Sequence, residues 1–215
     1  MSISTNTVTS LAQSQPPPTR GMESINRYWD QVNGIWAAKI LPGELYVSAQ
    51  GEMVVTVLGS CVAACVRDKS TGVGGMNHFL LPRETEYSLG DDDLLKSRYG
   101  NWAMEMLINE VLKRGGRKQT LEVKIFGGAN VMNSMTTDIG ERNISFVRGY
   151  LQAEAIGVCA EDVGGMRPRK VYYNPVTGRC GVKFFDRLNN RTVLDREEVY
   201  TQRIAGDSDG SVELF

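Results

Sequence analysis

Thr56-Val57-Leu58-Gly59-Ser60-Cys61-Val62-Ala63-Ala64-Cys65-Val66-Arg67-Asp68-Lys69-Ser70-Thr71-Gly72-Val73-Gly74-Gly75-Met76-Asn77-His78-Phe79-Leu80-Leu81-Pro82 is the stretch that decides the fold. Small and β-branched apolar residues run from Val62 to Val66 and return from Val73 to Leu81. Between them, Asp68-Lys69-Ser70-Thr71-Gly72 is turn chemistry. The segment reads as an antiparallel hairpin, ended by Pro82. A turn centred between Lys69 and Ser70 sets Val66 opposite Val73 and Cys61 opposite His78. Directly opposed residues hold their Cβ atoms about 4.5–5.5 Å apart, within reach of an imidazole for a thiol. The glycines beside the pair leave room for another backbone or a substrate.

His78 is the only histidine in the chain, so Cys/His chemistry has a single available base. The bland alternative is a satisfied core histidine beside a cysteine that packs as a small hydrophobe. The chemical reading follows from the pairing. A neighbouring imidazolium lowers a thiol from about 8.5 to about 3.5–7.5. The thiolate then attacks a carbonyl, and the histidine serves the leaving group and then water. A third group usually orients the imidazole. Thr56, Ser60 and Asn77 are the polar candidates nearby. Gly59 and the amides around Cys61 are candidate oxyanion donors.

Working outward, Glu44–Ala49 and Met53–Val57 read as strands, with Gln50-Gly51-Glu52 turning between them. Tyr28, Trp29, Val32, Ile35 and Trp36 suggest a small helix with an aromatic face. Asp91-Asp92-Asp93 precedes a helix over about 94–113, whose apolar stripe includes Tyr99, Trp102, Ala103, Met106, Leu107 and Val111. Leu121–Phe126 alternates as a strand, and a second helix covers about Glu141 to Ala155. Val158–Val163, Lys170–Tyr173 and Gly181–Phe185 read as further strands. Strands outnumber helices without alternating with them, which points to an α+β fold and away from a doubly wound sheet.

The chain has 215 residues, 41% of them hydrophobic and 23% charged, and a net charge of −1. These values suit one soluble domain and offer no basic field for nucleic acid. No apolar run approaches the roughly 20 residues of a membrane span. The N-terminus has no basic patch followed by an apolar core, so no secretory signal is expected. Cys61, Cys65, Cys159 and Cys180 lack paired spacing, and one histidine does not complete a usual zinc site. Reduced thiols, a cytoplasmic location, and no metal or cofactor are the expectation. Composition marks residues 1–20 as a disordered tail and residues 204–215 as a mobile one. Residues 21–203 form a single domain on this reading.

Several motifs, in order, resemble a known family. They are Pro42-Gly43-Glu44-Leu45-Tyr46-Val47, then Thr56 through Cys65, then Gly74 through Pro82. Arg98-Tyr99-Gly100-Asn101-Trp102-Ala103-Met104, Phe126-Gly127-Gly128-Ala129-Asn130 and Ile139-Gly140-Glu141-Arg142-Asn143 follow. Ala160-Glu161-Asp162-Val163-Gly164-Gly165 and Arg169-Lys170-Val171 complete the set. Over residues 40–185 the chain resembles the chemoreceptor glutamine deamidases, the CheD family. The resemblance implies an enzyme that converts glutamines of methyl-accepting chemotaxis receptors to glutamates; some members also hydrolyse glutamyl methyl esters. It implies Cys61 as nucleophile, His78 as base and Thr56 as the third member. It implies mixed β-sheets packed together with flanking helices, similar to the bacterial toxin deamidases, and a CheC-type phosphatase as a partner. For substrate contact, Phe126, Gly127 and Asn130 are the candidates, with Phe126 either an exposed rim anchor or a core residue. The competing readings are another thiol hydrolase, such as a small peptidase, and a non-catalytic adaptor that binds receptor or phosphatase.

Overall fold

Val62–Asp68 forms a strand that is buried along nearly its whole length, and a computed structural model of the protein shows why. One face of its sheet is covered by a second sheet and the other by helices, so only Arg67 near its end keeps some contact with water. The structure describes residues 14–48, 50–82, 92–131, 139–185 and 195–202, and leaves the side chains of 92–98 undescribed. The expected tails at 1–13 and 204–215 lie outside these residues, as does Asp91 of the acidic run.

Among the described residues, ten strands make two five-stranded mixed sheets. The strands are β1 (Asn26–Asp30), β2 (Ile35–Lys39), β3 (Leu45–Ser48), β4 (Met53–Leu58), β5 (Val62–Asp68), β6 (Gly74–Asn77), β7 (Leu121–Gly127), β8 (Val158–Val163), β9 (Arg169–Tyr173) and β10 (Cys180–Phe184). The first sheet has the order β1-β2-β4-β9-β10, with β2 and β4 parallel. The second has the order β3-β6-β5-β7-β8, with β7 and β8 parallel. Helices α1 (Asp92–Lys113) and α2 (Ile139–Ala153) pack on the second sheet, and residues 195–202 form a third helix, α3. The α+β architecture is the one the strand-rich sequence implies.

Burial along each strand follows this layering. In β9, Arg169, Val171 and Tyr173 point inward, while Lys170 and Tyr172 alternate outward. That alternation marks a sheet with one open face. The outer face of the first sheet carries only a small apolar cluster of Ala37, Met53 and Val55. The main core lies between the sheets and beneath the helices.

Three local expectations change. The aromatic segment expected as a helix is the β1–β2 hairpin, in which Trp29 pairs with Trp36 and their rings meet edge to face. Its aromatics are spaced to suit cross-strand contact as well as a helical face, so periodicity alone did not separate the two. On α1 the buried stripe is Ala103, Met104, Leu107, Ile108 and Val111, and Trp102 is 50% exposed. Residues 14–20, expected as part of the disordered tail, lie against the domain. Arg27 donates to the carbonyls of Pro16 and Pro17, and Thr19 donates to the carbonyl of Val47.

The decisive hairpin is present with a different register. Cys65 pairs with Met76 and Val66 with Gly75, and an isolated bridge joins Val62 to Phe79. The closing pair is Asp68 and Val73, so the turn sits one residue later than expected. Pairing therefore slips by two, which keeps every side chain on its face. His78 lies opposite Ala63, and Cys61 becomes its diagonal neighbour. Gly75 admits the backbone of β3 and not a substrate: a Cβ there would collide with the carbonyl oxygen of Tyr46.

Candidate active site

Face assignment in β5 and β6 decides which side chains enter the site. Asn77 points to the helices, where its Oδ1 accepts from the Ala64 amide and its Nδ2 donates to the Ala103 carbonyl. It braces the sheet and is not the third member of the pair. His78, one residue on, points the opposite way, towards the first sheet. Its backbone is pinned between the chain at Gly43 and Glu44, which donates to its carbonyl and accepts from its amide.

Across the interface, Thr56 of β4 meets the ring. Thr56 Oγ1 donates to the Ile40 carbonyl at 2.8 Å and lies 2.7 Å from His78 Nδ1. The hydroxyl has one proton, and Ile40 takes it. Thr56 therefore accepts, and Nδ1 carries the ring proton. That leaves Nε2 as the bare nitrogen. It is buried and has no hydrogen-bond partner among the described residues. Burial pulls His78 down to about 3, so the ring is neutral.

Cys61 follows the Leu58-Gly59-Ser60 turn at the head of β5 and is fully buried. Loop residues behind it hold the turn in place. Gly128 donates to the Cys61 carbonyl at 2.7 Å and Ala129 to the Gly59 carbonyl at 2.7 Å. Asn143 of α2 donates to the Ser60 carbonyl at 2.8 Å. Gly127 has φ +107° and faces the same carbonyl as Gly128, where a Cβ would collide with the Cys61 oxygen. Only glycine satisfies both the left-handed backbone and that approach.

These braces aim the amides of residues 59–61 at one point, where they bind the carboxylate of Glu197 from α3. Its Oε1 accepts from the amides of Gly59 at 2.9 Å and Cys61 at 3.2 Å. Its Oε2 accepts from the amide of Ser60 at 3.1 Å and from Ser60 Oγ at 2.6 Å. Glu197 also lines a narrow cleft with Lys39, Pro42, Thr56, His78 and Arg196. Burial, together with the charge and hydrogen bond of Glu197, pushes the Cys61 thiol well above its usual range. The sequence expectation was a thiol lowered by an imidazolium. Burial and the adjoining carboxylate reverse it.

Of the three residues proposed from sequence for the chemistry, Thr56 and His78 thus line one cleft with Glu197, and Cys61 meets that cleft through the Glu197 carboxylate on its amide. The other three divide. Phe126 is 4% exposed and belongs to the core, the alternative to a rim anchor. Gly127 is buried behind Cys61, and Asn130 is exposed, its amide donating to Gly165. Sequence reasoning missed Asn143 and Glu197. Asn143 was quoted only within a motif, and Glu197 sits in a polar stretch whose helical face has one aromatic, Tyr200. Among the described residues no group of three or more His, Cys, Asp or Glu is placed to hold a metal ion. No helix there is long and apolar enough to cross a membrane.

Comparison with known proteins adds to this geometry. Residues 80–184 match the family model described as CheD chemotactic sensory transduction. A protein of Hahella chejuensis is 50% identical over 206 residues, covering 94% of this chain and 96% of its own. One from Methylobacillus flagellatus is 48% identical over 200 residues, covering 92% of this chain and 98% of its own. One from Halorhodospira halophila is 50% identical over 199 residues, covering 91% and 92%. Each is named a probable chemoreceptor glutamine deamidase CheD. The family-model match begins after Thr56, Cys61 and His78 and ends before Glu197, whereas the long matches leave out too little of the chain to omit the whole of residues 56–78.

Proposed function

The chain belongs to the CheD family, and we propose that it hydrolyses the side-chain amide of glutamines on chemotaxis receptors, giving glutamate and ammonia. The observation that carries the chemistry is the ring of His78, with Nδ1 hydrogen-bonded to Thr56 and a bare Nε2, on the residue diagonal to Cys61 across the hairpin. In this reading Nε2 takes the thiol proton as sulfur attacks the amide carbon. A concerted transfer suits a neutral pair better than a preformed ion pair, because the buried cleft disfavours separated charge. The amides of Gly59 and Cys61 receive the oxygen as it becomes an oxyanion. His78 then protonates the departing ammonia, and the thioester is hydrolysed by water that His78 activates. Thr56 holds the ring and transfers no proton.

The same reading takes the cytoplasm as the compartment and includes a CheC-type phosphatase as a further partner, as the sequence resemblance implies. The test is mass spectrometry of a receptor cytoplasmic fragment after incubation. Wild-type protein converts specific glutamines to glutamates, and Cys61→Ala converts none. Unchanged glutamines with wild-type protein would overturn the proposal.

A further inference from the structure

Cys61 is 0% exposed. A thiol that acts on another protein's side chain cannot do so from that position, so the structure shows a closed state. The cover on its cleft side is α3, at 195–202. That helix touches the domain by one face only: Glu197 is buried and Tyr200 and Thr201 are half-buried, while Arg196, Glu198 and Val199 are exposed. The Tyr200 ring lies on Gly43, where a Cβ would meet it at 2.5 Å, and beside the Tyr99 ring at 6.4 Å. Gly59 likewise admits the carboxylate, which a Cβ would meet at 2.8 Å.

We propose that α3 is an intramolecular product mimic: Glu197 fills the amide nest that a substrate glutamine must enter, so α3 and a glutamine-bearing helix of the substrate compete for one groove. This rests on the deamidase reading above. Three observations support it. First, a glutamate side chain is the product of glutamine hydrolysis, and it stands at the thiol with one oxygen on the Gly59 and Cys61 amides. Second, the second oxygen accepts two donors from Ser60, an arrangement that an amide NH2 does not reproduce, so the acid is held in preference to the amide. Third, the seat is imperfect. Tyr200 Oη is buried without a hydrogen-bond partner among the described residues, and such a group costs free energy until it returns to water. The helix is thus placed to leave. With it seated, the thiol stays protonated.

Alkylation of the full-length protein by iodoacetamide, resolved by cysteine, tests the cover without using the enzymatic reaction. A site open in a fraction of molecules reacts at that fraction of the open rate. Glu197→Ala and Tyr200→Ala should each speed labelling of Cys61 by about tenfold or more, while exposed Cys159 keeps its rate. Labelling of buried Cys65 in Glu197→Ala would mark unfolding, and Tyr200→Ala then decides. Cys61 labelled no faster than in wild type in the folded variants would overturn the proposal. A second arm tests the mimicry. In Glu197→Gln, Cys61 attacks the carbon of the introduced side-chain amide. The C–N bond breaks, ammonia leaves with a proton from His78, and water cleaves the thioester to restore glutamate. Mass spectrometry should find position 197 converted, and unconverted when Cys61→Ala is added. A glutamine that persists there would overturn the mimicry. Faster alkylation of Cys61 with a receptor fragment left unchanged would instead strike the deamidase reading, so the two failures are distinguishable.

Discussion

Strand β5 has a buried carboxylate at each end, and each carboxylate gathers backbone amides. At the C-terminal end Asp68 accepts from the amides of Ser70 at 2.6 Å, Thr71 at 3.2 Å and Arg117 at 2.7 Å, and from the hydroxyls of Ser70 and Thr120. At the N-terminal end Glu197 accepts from Gly59, Ser60 and Cys61. The chemistry of binding is alike, but the origin of the acid is not. Asp68 belongs to the turn it closes, so the Ser70 and Thr71 donors fold with it, and Arg117 and Thr120 add donors from the segment that leads into β7. Glu197 arrives from 136 to 138 positions away, on a helix seated by one face. The carbonyls of its donor residues are held by Gly128, Ala129 and Asn143, through bonds in which Glu197 takes no part. A nest braced independently of its occupant, beside a thiol, is suited to exchange of that occupant. A nest closed by its own residue is suited to stability.

That contrast breaks if mutations at the two ends have the same consequence. The largest effect is at the nucleophile. Cys61→Ala and Cys61→Ser should both remove receptor deamidation down to background, with thermal unfolding close to wild type. Residual turnover in Cys61→Ala would show that the sulfur is not the attacking atom. Next comes the base. His78→Ala should lower the deamidation rate by about two to three orders of magnitude, within the range for a lost acid–base group. Thr56→Ala should cost less, about tenfold, since it orients the ring. A His78→Ala enzyme near the wild-type rate would remove the mechanism.

At the other end the pattern should invert. Asp68→Ala leaves five donors without this acceptor, and lost part-buried hydrogen bonds of this kind cost about 2 kcal/mol in total. Urea unfolding should show that loss, while the folded fraction still deamidates. A variant as stable as wild type but inactive would mean that the two ends are not separable.

How far the sequence carried these points depended on the range of the interaction. The hairpin, both long helices and most strands were legible because a turn or a period announces them locally. That Cys61 and His78 share a face of neighbouring strands was legible for the same reason, although the turn was placed one residue early. A slip of two preserved the faces, so the assignment survived the wrong register. The β1–β2 hairpin was not legible, because its aromatics are also spaced for a helical face. Thr56 was only one of three polar candidates from the residues alone, because the contact that distinguishes it crosses from one sheet to the other. Glu197 left no signal. Three of its partners are backbone amides, which carry no side-chain identity, the fourth is the Ser60 hydroxyl, and its helix presents only Val199 and Tyr200 among polar residues.

The smallest effect is a pH dependence that separates the two ends by window. Burial holds His78 at about 3, against about 6.5 for a free imidazole. The unfolded chain therefore binds a proton at about pH 5 that the folded chain refuses, and stability falls as pH drops from about 6.5 towards about 3. The slope is at most about 1.4 kcal/mol per pH unit. For Asp68, burial acts to raise the carboxyl, but hydrogen bonds from Ser70 and Thr120 outweigh it and hold the group well below the usual carboxylate range. Its contribution is complete above about pH 4 and is lost only on further acidification. Between about pH 7 and about pH 5, then, the histidine end should dominate the change in urea midpoint. His78→Asn, which has no proton to take up, should flatten that change, and Asp68→Asn should lower the midpoint without altering its slope against pH. A His78→Asn protein that keeps the wild-type slope would show that the ring is not held neutral by the fold, and the bare Nε2 would lose its physical basis.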